Sequence, residues 1–285
     1  MLGRSRNEEA LKIFPKKVDQ NSILLRSFEP TVERLCEAFP YGISNPRDED
    51  VAMPSVETLR EAVEILRSIL FPGYFGNSHL NPFSLRYRLG AAIGEVYRLL
   101  TEQVMRGFCF ECAGSMTCQE CEERAKALTA AFIEELPRIR SLLATDVEAA
   151  YLGDPAARSH GEVIFCYPSL RALTNYRIAH SLHRLGVPLI PRIITEMAHS
   201  DTGIDIHPGA EIGDHFFMDH GTGIVIGETT IIGSRVRIYQ GVTLGAKSFP
   251  LDEGGNPIKG IPRHPIVEDD VIIYTQGPPS WEGYA

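Results

Sequence analysis

The sequence predicts an α+β protein: an N-terminal α-helical domain followed by a left-handed parallel β-helix of hexapeptide repeats. Two patterns indicate this fold. Over residues 8–200, apolar side chains recur every three to four positions, which is typical of amphipathic helices. Beyond residue 201 they recur every six, as expected of a chain that turns a corner every six residues and stacks its coils. The change of period predicts a domain boundary at residues 200–201.

In the helical half, Ser55 to Leu70 shows the clearest apolar stripe. This segment begins with a polar capping pattern and ends at Phe71-Pro72-Gly73, where proline and glycine stop a helix. Later segments with helical periodicity are residues 84–103, 125–143, 169–185 and 191–199. Because no low-complexity linker follows them, we expect these helices to pack directly against the β-helix.

In the repeat half, residues 201–274, two apolar series carry the six-residue period. They are Ile206, Ile212, Met218 and Ile224, then Ile226, Ile232, Ile238 and Leu244. Each is predicted to point into a triangular core. The period stops at a Gly/Pro-rich loop, residues 246–264. We interpret this loop as an active-site flap, because long loops that interrupt regular repeats usually serve a site. A tolerated surface insertion is the alternative.

Composition limits the possible partners and locations. The chain has 285 residues and a net charge of −9, so no general affinity for nucleic acid or anionic membranes is expected. The N-terminus lacks the apolar core of a signal peptide, and no apolar run is long enough to cross a bilayer. A cytoplasmic location is predicted, in which the six cysteines are thiols or metal ligands rather than disulfides.

Asp205 and His220 are the candidate catalytic pair. A histidine can remove the proton of a hydroxyl nucleophile, and a carboxylate on its second nitrogen fixes the tautomer. The two residues are separated by nearly one eighteen-residue coil, which predicts adjacent levels on neighbouring faces. A turn aspartate and a solvated corner histidine are the alternative for such a pair.

The motifs resemble those of serine O-acetyltransferase, which transfers the acetyl group of acetyl-CoA to L-serine in cysteine biosynthesis. The resemblance is carried by Gly153-Asp154-Pro155-Ala156, Tyr176-Arg-Ile-Ala-His180, Asp205-Ile-His-Pro, Asp219-His220-Gly-Thr-Gly, Gly241-Val-Thr-Leu-Gly and Arg263-His264-Pro265. It covers roughly residues 130–274. It assigns His220 as the catalytic base and Asp205 as its partner.

The resemblance also assigns the substrate contacts. Asp154 and Asp219 are expected to bind the serine ammonium group. Arg263 is expected to bind the carboxylate, since a guanidinium can pair with it through two hydrogen bonds. His264 is expected to donate a hydrogen bond to the substrate.

Acetyl-CoA is expected to lie in the groove between coils, with its sulfur at the corner that contains Gly245 and Ala246. Backbone N–H groups at this corner could polarise the thioester carbonyl. Direct attack by serine is expected, because no cysteine has the surroundings of an acyl carrier. A homotrimer or a dimer of trimers is the expected assembly.

Four cysteines stand apart from this chemistry. Cys109 and Cys112, then Cys118 and Cys121, form two CxxC pairs that can supply four thiolates to a structural zinc ion. Free or redox-active thiols and an iron–sulfur cluster are the alternatives. Cys36 and Cys166 are predicted to be core residues.

Residues 275–285 form an aberrant tail. Where the resembled family continues with Gly-Ala-Thr-Ile-Leu-Gly, this chain reads Gln276-Gly-Pro-Pro-Ser-Trp-Glu-Gly283, and consecutive prolines cannot continue the ladder. The codons CAG GGG CCA CCA TCC TGG GAG GGG encode the sequence found in this chain, Gln-Gly-Pro-Pro-Ser-Trp-Glu-Gly. Read two nucleotides later, the same codons encode the family sequence, Gly-Ala-Thr-Ile-Leu-Gly. We therefore hypothesise a frameshift near codon 275. Resequencing would contradict it by finding a single unshifted frame.

This ending leads to two expectations. The β-helix would be incomplete, leaving a weakly active or inactive remnant with an assembly role. Binding of O-acetylserine sulfhydrylase, which uses the family's C-terminal tail, is not expected.

The alternative from another functional class is a zinc hydratase of the γ-carbonic-anhydrase kind. Its candidate ligands are His207, His215, His220 and His264.

Overall fold

The computed structural model describes residues 28–35, 53–76, 81–112 and 117–274. The chain divides into two units, Met1–Asp50 and Val51–Ala285. In the first unit, residues 28–35 form helix α1, whose side chains are exposed. All other described elements belong to the second unit, so the boundary predicted at residues 200–201 lies inside it, within the last helix, which continues to Thr202. The predicted aberrant tail, 275–285, lies outside the described residues.

The second unit begins with helices, two of which run well beyond their predicted ends. They are α2 (Val56–Leu70), α3 (Pro82–Cys112), α4 (Cys118–Gly153), α5 (His160–Cys166), α6 (Pro168–Arg184) and α7 (Ile190–Thr202). Ser55 caps α2 by accepting the Thr58 N–H at 3.1 Å. A reciprocal capping box between Thr117 and Glu120 starts α4 earlier than its apolar stripe suggests. Helix α5 was not predicted, because seven residues are too few to show a helical period.

Nine short strands follow in the described part of the chain, and each of them pairs with its neighbours in parallel. They are β1 (Asp205–Ile206), β2 (Glu211–Ile212), β3 (Phe217–Asp219), β4 (Val225–Ile226), β5 (Ile231–Ile232), β6 (Arg237–Tyr239), β7 (Thr243–Leu244), β8 (Ile266–Val267) and β9 (Ile272–Ile273). They form three sheets, β1-β4-β7, β2-β5-β8 and β3-β6-β9. Each coil therefore contributes one strand to each face, which confirms the predicted β-helix.

The apolar period is aligned by the strand register. Ile206, Ile226 and Leu244 are register partners on one face. On the others, Ile212 pairs with Ile232 and Met218 with Ile238, and all of these side chains are buried. The first coil is two residues longer than the second, because Asp205 pairs with Val225 and Val225 with Thr243. The step of two residues between the two apolar series, from Ile224 to Ile226, therefore corresponds to the extra length of the first coil.

A buried ion pair ties the helices to the first coil. Arg177 of α6 contacts Asp146 of α4 through bonds of 3.0 and 3.1 Å, and it also donates to the carbonyls of Ile212 and Gly213. Asp146 in turn accepts the Phe216 N–H at 3.1 Å. Because Arg177 and Asp146 are nearly inaccessible to water, this network fixes α4 and α6 against β2 and β3. None of the helices in the described ranges is long and apolar enough to cross a membrane.

Candidate active site

The predicted site residues divide between two corners of the β-helix. We define the His220 corner as residues 219–223, which link β3 to β4, together with Asp154 at the end of α4. We define the His264 corner as Glu228 and Thr229, which link β4 to β5, together with Arg263 and His264 before β8. These turns join different pairs of sheets, so the two corners occupy different edges of the triangular coil.

His220 lies in a tight turn that presents its ring to solvent. Its backbone is left-handed, with φ of 56°, and Gly221 and Gly223 follow with φ of 80° and 77°. Such angles are costly for most side chains and available to glycine. The imidazole is 78% exposed, and its Nε2 lies 3.8 Å from Oδ1 of Asp219. The turn thus holds the backbone closely while leaving the ring accessible to a substrate or partner.

Asp154 is held in place by a residue that the sequence did not single out. The Tyr167 hydroxyl donates a short hydrogen bond to Oδ2, and the Ala156 N–H donates to Oδ1 at 2.8 Å. The Tyr167 bond is the main cause that lowers the pKa of Asp154, and the nearby charges of His220 and Arg237 lower it further. Asp154 is therefore an oriented carboxylate that suits a cationic group.

Arg237 of β6 brings the end of α4 to this corner. Its guanidinium donates a hydrogen bond to the Gly153 carbonyl, and it lies over the Phe217 ring at 5.0 Å from the ring centroid. Since Arg237 is the register partner of Phe217, the coil repeat itself could have located it beside the corner. No sequence motif indicated its contact with α4.

Asp205 lies on β1, half-buried, but no hydrogen bond or ion pair joins its carboxylate to His220 among residues 117–274. Its ligand atoms instead lie near those of Glu196 and His199 on α7, all within 4.8 Å of one another. Its backbone pairs with Val225, shortly after the His220 turn. The Asp205–His220 dyad therefore stays a prediction.

The polar groups of the His264 corner, in contrast, are extensively connected. The Thr229 N–H donates to His264 Nδ1 at 3.1 Å, and the Thr229 hydroxyl lies 2.9 Å from the same nitrogen. That hydroxyl accepts the N–H groups of Arg263 and His264 at 2.9 and 3.2 Å, which leaves its proton for Nδ1. Because Nδ1 accepts, the neutral ring carries its proton on Nε2. Burial lowers the pKa of His264, which favours this neutral form.

Two further contacts complete this corner. The Arg263 guanidinium donates to Glu228 at 2.6 Å, and this bond is the main cause that lowers the pKa of Glu228. The His264 ring packs on Gly227, where an added Cβ would lie 2.0 Å from Cδ2 of the ring. Glycine is therefore required at position 227 by close approach. Gly227 and Glu228 belong to the motif that continues from His220, but the sequence predicted no role for them or for Thr229, because their contacts appear only when coils stack.

Gly245 and Ala246, the residues predicted to lie beside acetyl-CoA, follow β7 at the same edge of the coil as the His264 corner. Gly245 and Ala246 are half-buried, and the 246–264 loop that continues from them contains an antiparallel bridge between Leu251 and Pro257. The apolar side chains of Phe249 and Leu251 are more than half exposed on this loop. The loop is thus an ordered projection beside the corner.

The cysteines divide as follows. Cys109 and Cys121 are buried, Cys112 is half-buried and Cys118 is exposed. Cys166 is exposed on α5, so its prediction as a core residue was wrong; helix α5 turns that side chain outward. Cys36 lies outside the described residues.

Comparisons with known proteins identify the family. A plasmid-encoded serine acetyltransferase of Synechococcus elongatus is 52% identical over 231 residues, 80% of this chain and 72% of that protein. A Synechocystis serine acetyltransferase is 47% identical over 135 residues, which cover 47% of this chain and 50% of the relative. With this and several other curated relatives, the match spans about half of their length. No protein-family model matches the chain.

Solved structures agree. Serine acetyltransferase 1 of Entamoeba histolytica, in complex with L-cysteine, superposes with a TM-score of 0.65 and 37% identity, covering 89% of this chain and 85% of that one. Isoform 3 from the same organism, in complex with cysteine, gives 0.59 and 31% identity over 88% and 80%. The hexapeptide coils and the helical region before them are thus shared with these enzymes. The chain belongs to the serine acetyltransferase family and is an acyltransferase.

Proposed function

We propose that this chain acetylates the hydroxyl of L-serine with acetyl-CoA, at a site made from the His220 corner of one copy and the His264 corner of another. The observation that carries this proposal is the separation of the two corners on different edges of one coil. A single serine must contact both sets of residues, and a second copy can supply the missing set. A homotrimer closes such an arrangement, since each copy then gives one corner and receives the other.

His220 is the general base in this mechanism. Its neutral imidazole takes the proton of the serine hydroxyl as the hydroxyl oxygen attacks the acetyl carbonyl carbon. The tetrahedral intermediate then collapses, the carbon–sulfur bond breaks, and the imidazolium returns the proton to the departing CoA thiolate. The high exposure of the ring in one copy supports this role, because the ring is free to meet a substrate. Asp205 would orient the ring once a neighbouring copy closes the site.

The serine substrate needs a counter-charge at each end. Asp154 and Asp219, both beside His220, would bind the ammonium group, and the lowered pKa of Asp154 supports its role as an anion. Arg263 would bind the carboxylate while sharing its guanidinium with Glu228. His264 would donate from Nε2, since its Nδ1 is already an acceptor.

Acetyl-CoA would reach the site along the groove beside Gly245 and Ala246. The small side chains there permit close approach of the thioester, and backbone N–H groups could stabilise the developing oxyanion. The 246–264 loop, with Phe249 and Leu251 exposed, would act as a flap over this groove. A structural zinc ion at the four cysteines would take no part in the transfer.

The remaining predictions extend the same proposal. The reaction would be cytoplasmic, and trimers could pair into larger assemblies. The remnant hypothesis and the predicted lack of O-acetylserine sulfhydrylase binding rest on residues 275–285, outside the described residues. A zinc hydratase is the weaker candidate, because the family shown is that of an acyltransferase.

Complementation between two inactive variants tests the shared site. His220→Asn and His264→Asn chains are expressed separately and then together with different affinity tags, and the doubly tagged oligomer is assayed for serine-dependent CoA release. A doubly tagged trimer contains both chains, so intact sites occupy about one third of its positions, because only one of the three interfaces joins an intact His220 to an intact His264. Recovered activity near that fraction is therefore expected.

The controls make the result decisive. Separately purified variants mixed without subunit exchange should stay inactive. Inactive mixed oligomers, together with an active wild-type chain, would contradict the shared site but not the acetyltransfer. An inactive wild-type chain would instead support the remnant hypothesis.

A further inference from the structure

The two CxxC pairs lie at facing ends of α3 and α4. Cys109 and Cys112 are in the last turn of α3, and Cys118 and Cys121 are in the first turn of α4. Residues three apart on a helix share a face, so each pair directs both sulfur atoms to one side. The capping box at Thr117 fixes the first turn of α4 and with it the position of the second pair.

Helices α3 and α4 pack against each other at this end. Cys109 and Cys121, one from each helix, are buried in the same apolar core, and Cys112 packs against it. The thiols of Cys109 and Cys121 act on each other electrostatically, and those of Cys112 and Cys118 act on Cys109 as well. No three of the four sulfur atoms lie within 4.8 Å of one another. Among the described residues, only Glu196, His199 and Asp205 place three potential ligand atoms that close together.

The surroundings of the buried pair argue against a redox role. Burial is the main cause that raises the pKa of Cys109, and it raises the pKa of Cys121 to about 12. Reactive cysteines usually have lowered pKa values, because a nearby cation stabilises the thiolate. The other groups that act on these two thiols are cysteines rather than cations.

We infer that Cys109, Cys112, Cys118 and Cys121 form a tetrahedral zinc site that clips the end of α3 to the start of α4. Four thiolates are an established ligand set for structural zinc. Each thiol releases its proton to solvent as it binds the metal, so occupancy falls with acid. The site closes a connection of five residues between the two pairs and rigidifies the helix whose other end carries Asp154.

The test measures metal directly and does not depend on acetyltransfer. The full chain, purified under reducing conditions with zinc in the medium, is analysed for metal per chain and then reloaded with Co²⁺. We expect about one zinc per chain and, with Co²⁺, the thiolate-to-metal charge-transfer band of a tetrahedral site. Cys118→Ser should reduce both strongly, and its exposed side chain makes misfolding a small risk.

Cys166→Ser is the matched control, since this cysteine is also exposed but lies on α5. It should keep the metal and the wild-type thermal midpoint. A chelator should lower the midpoint of the wild type and of Cys166→Ser, with a smaller effect on Cys118→Ser. Absence of zinc and of the cobalt band in reduced, folded wild-type protein would overturn the inference. Iron with acid-labile sulfide, or a disulfide in metal-free protein, would overturn it equally.

Discussion

The two corners of the β-helix carry histidines of opposite character. His264 is held through Nδ1 by both the N–H and the hydroxyl of Thr229, and its ring rests on Gly227. His220 has a ring that is 78% exposed, with one weak contact to Asp219 at 3.8 Å. One histidine is therefore oriented by its own coil, while the other is oriented only in its backbone.

This difference indicates a division of labour. A group that binds substrate gains from being fixed in advance, because no ordering cost remains at binding. A general base must meet the substrate and, in this proposal, a neighbouring copy before its surroundings are complete. The substitutions below change each corner separately and should affect catalysis and substrate binding to different extents.

The largest effect is expected from His220→Asn. Loss of the base should reduce kcat by about 100- to 10,000-fold, with little change in stability because the ring is exposed. Asparagine tolerates the left-handed backbone at this position. His215→Asn is the matched control, since His215 also has positive φ. Steady-state kinetics of both variants check this; equal losses would contradict the role of His220.

The next largest effect is expected from Gly227→Ala. The new Cβ would overlap the His264 ring, and displacing the ring by about an ångström could cost about 100-fold in kcat/KM for serine. Gly94→Ala is the control, because a Cβ there meets no atom within 4 Å. If Gly227→Ala kept full activity while His264→Asn did not, the close packing would be irrelevant to the site.

A smaller effect is expected from Tyr167→Phe. Without its hydroxyl, Asp154 loses the hydrogen bond that most lowers its pKa and one of the bonds that orient it. The free energy of a hydrogen bond to a charged group corresponds to about a tenfold change in affinity. We therefore expect KM for serine to rise about tenfold and kcat to change less. Tyr151→Phe, whose ring packs against His160, is the control. A fall in kcat alone would place Tyr167 in the chemical step instead.

The smallest effect is expected from His207→Asn, and it concerns the pH dependence of folding stability. Burial lowers the pKa of His207 from 6.5 to about 4, and its Nδ1 accepts the Gly209 N–H at 3.0 Å. As pH falls, His207 is protonated in the unfolded chain before it is protonated in the folded one. Its contribution to the free energy of unfolding is therefore complete above pH 6.5 and is lost progressively down to about pH 4. Denaturant unfolding across this range should show a weaker pH dependence for His207→Asn than for the wild type. Identical slopes would contradict the assignment.

The sequence could predict the fold because the hexapeptide period is local. The six-residue spacing of Ile206, Ile212 and Met218 is enough to predict that they are buried, and the structure confirms that they lie in the core. It could also nominate His220, Asp154 and His264 from motifs. It could not find Tyr167 or Arg237, whose partners lie 13 and 84 residues away. Nor could it show that Arg263 is already paired with Glu228.

The sequence by itself thus determined the family, the repeat and the chemical identity of the groups, since these depend on residue type and short spacing. Tertiary structure decided which groups meet. The stacking of coils brought Thr229 to His264, and the docking of α4 brought Asp154 beside His220. It also placed the two histidines on different edges of the coil. Such contacts depend on where distant segments cross, and no local pattern records those distances.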